Sequence, residues 1–83
     1  MITHRNKAAT NGMTTMQRKA LLRFKKSLTE TLPNFRIAWA LPVEDEFIEL
    51  HLETDKRTYR NSVKAAQLAI EAGEETGVTI ILR

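Results

Sequence analysis

Glu49, His51 and Glu53 alternate with Ile48, Leu50 and Leu52, so on an extended strand the two carboxylates and the imidazole project from one face. A histidine beside acids could take part in metal binding or in proton transfer. Successive members are roughly 6.5–7 Å apart along a strand, which leaves the two carboxylates too far apart to chelate one ion. The other histidine, His4, lies near the N-terminus. No metal or cofactor is expected, and Glu53 is better placed as the cross-strand partner of Arg36.

A second group is basic. Lys19, Arg23 and Lys26 fall on a narrow arc of one helical segment, with Arg18 and Lys25 flanking it and Glu30 its only acid. Such a row can replace condensed counterions on a nucleic acid and contact phosphates without reading bases. Lys56, Arg57 and Arg60 crowd the start of a second helical segment, where the macrodipole already favours anions, and Thr58 and Ser62 could complete a phosphate pocket. No glycine-rich phosphate loop accompanies them. Arg57, Tyr59 and Arg60 form the one cluster that could serve a small nuclease. No nucleophile elbow or triad spacing is present, so catalytic residues are not assigned and enzymatic activity is not expected.

The elements that position these groups follow from periodicity. Thr14-Thr15-Met16-Gln17 fits a capping box, and Ala20, Leu21, Phe24, Leu28 and Leu32 recur at helical spacing until Pro33 stops the helix. Phe35, Ile37, Trp39 and Leu41 then alternate with Arg36, Ala38 and Ala40, and a second alternation runs from Phe47 to Glu53. Both predict strands, joined through Pro42-Val43-Glu44-Asp45. If the apolar sets share a face, Trp39 pairs with Leu50, Ala38 with His51 and Arg36 with Glu53. Trp39 is then part of the core.

A second helix opens near Asp55 or Thr58. Its stripe of Tyr59, Val63, Ala66 and Ile70 points inward, with Gly73 on the same arc for close approach to the sheet and Gly77 as the stop. Leu22 and Leu68 fall off the apolar arcs. Val78 to Leu82 reads as a third strand.

The order α-β-β-α-β predicts an α+β fold, a two-layer α/β sandwich whose three-stranded sheet carries both helices on one face. The second strand, second helix and third strand should form a right-handed crossover. The first strand is expected in the middle of the sheet. Residues 1–12 read as a mobile tail, with Met13 or Met16 as alternative starts, and residues 13–83 as a single domain.

At 83 residues, with 42% hydrophobic residues, the chain can hide roughly 60–65% of its unfolded surface in one thin core. It has no cysteine for disulfides, thiolate sites or thiol chemistry. No apolar run suits a membrane span or secretory signal, so a cytoplasmic protein with no membrane partner is expected. The formal net charge of +3 conceals segregation. Residues 1–36 hold eight Lys/Arg against one acid, residues 37–55 six acids and no Lys/Arg, and residues 56–83 five Lys/Arg against three acids.

The outer sheet face is expected to present Ala38, Ala40, Phe47 and Ile81 as an apolar patch ringed by charge, which resembles half of an interface. The functional expectation is therefore a small protein-interaction module whose outer sheet face docks a protein partner or a second copy of the chain. The second reading is a nucleic-acid-binding protein making phosphate contacts through the basic first helix.

Overall fold

The computed structural model describes residues 12–83; the expected tail at 1–12 therefore lies, but for Gly12, outside the described residues. Helix α1 spans Thr15–Thr31, strands β1 and β2 span Arg36–Glu44 and Phe47–Glu53, helix α2 spans Tyr59–Thr76, and strand β3 spans Thr79–Leu82. The α-β-β-α-β order and the α+β class are those expected.

The sheet order is β1-β2-β3, with β1 antiparallel and β3 parallel to β2. The central strand is thus β2, not β1. The reason lies in burial: Ile48, Leu50 and Leu52 are all buried, whereas no β1 residue is. The strand with the largest apolar inward set takes the middle, and β1 lies at an edge.

Register corrects a second expectation. Arg36 does pair with Glu53, and their side chains meet at 3.5 Å. Between Ile37 and Trp39, however, the ladder slips, leaving Ala38 without a partner, so Trp39 faces His51 and Ala40 faces Leu50. One inserted residue reverses the phase of every side chain after it. Ala40 therefore turns inward and packs against the core, and Trp39 turns outward and is 41% exposed.

The core joins Ala20, Phe24 and Leu28 of α1 to Ile48, Leu50 and Leu52 of β2 and to Ala65, Leu68, Ala69 and Ala72 of α2. The buried arc of α2 is thus its alanine arc. Leu68 is 6% exposed, whereas Tyr59 is 86% and Ile70 60% exposed, the reverse of the sequence expectation. Small residues let α2 settle closely onto its neighbours. Gly73 shows how closely: a Cβ there would lie 2.7 Å from the Val78 carbonyl oxygen. The close approach at Gly73 is thus to the Val78 carbonyl, on the segment that leads into β3. Gly77, at φ 79°, ends the helix in the left-handed region that favours glycine.

Met13 is buried too, just before the cap. At the start of α1, the Gln17 N–H donates to Thr14 Oγ1 at 3.1 Å and Gln17 Oε1 accepts from the Thr14 N–H at 2.8 Å, the reciprocal capping box. The same amide reaches further, because Nε2 donates to the carbonyls of Glu44 and, at 3.0 Å, Phe47. Gln17 is 1% exposed and is the only buried polar side chain among the described residues. Gln17→Ala leaves two hairpin carbonyls and the Thr14 N–H short of a partner, and should lower stability by about 2–4 kcal/mol in urea titrations. A loss under about 0.5 kcal/mol would show that water replaces the amide at no cost.

Candidate interaction surface

The outer face of the sheet is set by three strands. From β1 come Trp39 and Leu41, from β2 Phe47, Glu49, His51 and Glu53, and from β3 Thr79 and Ile81. Trp39 and Leu41 are exposed and Phe47 and Ile81 are half-buried, as is His51. Val43, at a second slip in the ladder between Pro42 and Glu44, is also exposed. Of the expected patch, Phe47 and Ile81 sit on this face and Ala38 is exposed at the bulge, whereas Ala40 belongs to the core side. The bulge gives up one alanine and gains Trp39 and Leu41.

The polar groups on this face are held by neighbours. Arg83 Nε pairs with Glu49 across β2 and β3, and Arg36 pairs with Glu53 across β1 and β2. The His51 ring stacks on the Trp39 indole, with centroids 5.4 Å apart and planes 11° from parallel. Among the described residues no group of three His, Asp or Glu lies close enough together to hold a metal ion. The row that first suggests chemistry is instead neutralised pair by pair, and it lies on the central strand rather than at an edge.

The basic groups fare differently. Arg18, Lys19, Arg23, Lys25 and Lys26 are all exposed on α1. Arg23 is engaged within the chain, its guanidinium gripping Glu75 of α2 through Nε at 2.8 Å and a terminal nitrogen at 3.1 Å. That hydrogen bond, then the Glu75 charge, raises the Arg23 pKa above its ordinary value. Lys56, Arg57 and Arg60 stand exposed at the entry to α2, where part of the hydrogen bonding is made within the chain. Thr58 Oγ1 accepts from the Asn61 N–H at 3.1 Å, Asn61 Nδ2 donates to the Lys56 carbonyl at 2.7 Å, and Arg57 donates to the Leu52 carbonyl at 3.3 Å.

Sequence reasoning missed Trp39 and Leu41 as surface residues because this bulge carries no glycine to mark it. It missed the exposed stripe of Tyr59, Val63 and Ile70 because α2 has two apolar arcs. No described helix is long and apolar enough to cross a membrane. No protein-family model matches the chain, nor does any curated protein or solved structure.

The face assignment is testable by truncation. Trp39→Ala should cost about 1 kcal/mol, as expected for a half-open site, while Leu50→Ala in the core should cost about 2–5 kcal/mol. Equal losses in chemical denaturation would return Trp39 to the core.

Proposed function

We propose that the chain is a small protein-interaction module that binds a second copy of itself through the outer sheet face. One observation carries this reading: Trp39, Leu41, Phe47 and Ile81 share a face whose acids, Glu49 and Glu53, are already paired with arginines of the same chain. An apolar face with its charges internally balanced does not attract a polyanion. It suits a surface that is equally apolar and equally balanced, and a second copy offers one about a two-fold axis. Aromatic residues at the centre of such a contact carry a large share of the binding energy.

The nucleic-acid reading rests on the remaining exposed cations of α1, chiefly Lys19 and Lys26. It is the weaker of the two, because Arg23, the middle of the row, is engaged by Glu75. A polyanion would have to displace that carboxylate.

Light scattering coupled to size exclusion tests both. Phe47→Glu, folded by circular dichroism, should halve the mass of the assembly, and short RNA or DNA should leave the wild-type mass unchanged. A mass indifferent to Phe47→Glu and to Trp39→Lys would sink the outer-face contact. A salt-sensitive shift onto RNA that vanishes in a Lys19→Ala/Lys26→Ala variant would install the phosphate reading instead.

A further inference from the structure

The two edges of the sheet are built differently. The β1 edge slips at Ala38 and again before Glu44, and it contains Pro42, which has no N–H to offer. Bulges and proline are the usual guards against pairing with another strand. Thr79-Ile80-Ile81-Leu82 at the other edge has neither. Thr79 N–H donates to the Glu46 carbonyl at 2.7 Å and Arg83 N–H to the Leu50 carbonyl at 2.8 Å. In a parallel ladder, alternate residues direct their N–H and C=O to the same neighbour, so Ile80 and Leu82 direct theirs to the open side. No described element pairs with them.

Beside that edge runs the exposed stripe of α2. Tyr59, Val63 and Ile70 recur at steps of four and seven. A recess of about 330 Å³, lined by Ile70, Gly73, Val78 and Ile80 among others, joins the stripe to the strand. The charges of α2 are also unusual. Its first half carries Arg60 and Lys64 and no acid, and its second half carries Glu71 and Glu74, with Glu75 already held by Arg23 of α1, and no Lys/Arg. The first turn has no acid and the last turn no base, so neither end has the charge that the macrodipole prefers.

We propose that the β3 edge and the α2 stripe together bind a second copy of the chain about a two-fold axis, with β3 antiparallel to β3 and α2 antiparallel to α2. With Ile80 of one copy opposite Leu82 of the other, about four main-chain hydrogen bonds satisfy both open edges. Ile81 then meets Ile81 on the outer face. The helices come together at about 8–10 Å over the seam, setting the basic half of one against the acidic half of the other. That apposition supplies each α2 terminus with the countercharge it lacks. A partner helix running parallel would place like charges together, so the charge layout selects the antiparallel copy. This contact does not depend on the outer-face contact; with both in use, the wild type assembles as about four chains of 9.5 kDa each.

The test uses the full chain carrying Phe47→Glu, which disables the outer face. Sedimentation at high micromolar concentration should give twice the single-chain mass. Adding Ile70→Lys, at an exposed site, should reduce it to one chain without changing the circular dichroism. Glu74→Arg should weaken the dimer about tenfold or more, and adding Arg60→Glu should restore it. A single-chain mass for the Phe47→Glu protein at every concentration overturns the edge contact, as does a dimer indifferent to both Ile70→Lys and Glu74→Arg. If Phe47→Glu and wild type have the same dimeric mass and Ile70→Lys dissociates it, the outer-face contact fails and the edge contact stands.

Discussion

The Gln17 side chain holds together parts of the molecule that are far apart in sequence. Its amide closes the cap of α1 on one side and holds two carbonyls of the β1–β2 hairpin on the other. The rotation of α1 about its axis is thereby tied to the hairpin, and Ala20, Phe24 and Leu28, on the same face as Gln17, are aimed over the sheet. The hairpin is anchored at its other side as well, since the Glu46 carbonyl accepts the first N–H of β3. A four-residue turn region thus receives one helix and one strand. In a core this thin, a buried amide with every hydrogen bond made supplies a definition of position that apolar packing alone does not.

Where the sequence could be read, the cause was local. The capping box at Thr14 and Gln17, the apolar row of α1 and the stop at Gly77 all act within a few residues, and each is present as expected. The pair Arg36–Glu53 was legible because it precedes the bulge. Beyond Ala38 the alternation of β1 loses its meaning, because a bulge is decided by the partner strand and leaves no mark in Arg36-Ile37-Ala38-Trp39-Ala40. The strand order required comparing inward sets across the whole sheet. The arc of α2 was decided by closeness of approach, which favours Ala65, Ala69 and Ala72 over the bulkier Tyr59, Val63 and Ile70. Local chemistry was readable, and the choice between two apolar faces of one element was not.

The large residues left outside are not scattered. Apart from Met16 and Leu22 on α1, they gather on the outer sheet face and along the flank of α2 beside β3, while β1 is guarded by its slips and its proline. Charge follows the same division. On the outer face acids and arginines cancel within the chain, and on α2 they are separated by half a helix. Balanced surfaces attract apolar copies without steering, whereas a divided surface orients its partner before contact.

The stack of Trp39 on His51 has a practical consequence. The chain has a single tryptophan, and it sits on the outer face rather than among the residues that define the core. Its emission therefore reports the surroundings of that face, including the loss of the His51 stack when the domain unfolds. On the proposed outer-face contact, dilution that separates two copies would redden the spectrum while the helices remain intact. Far-ultraviolet dichroism, which follows the backbone alone, would separate such a change from unfolding.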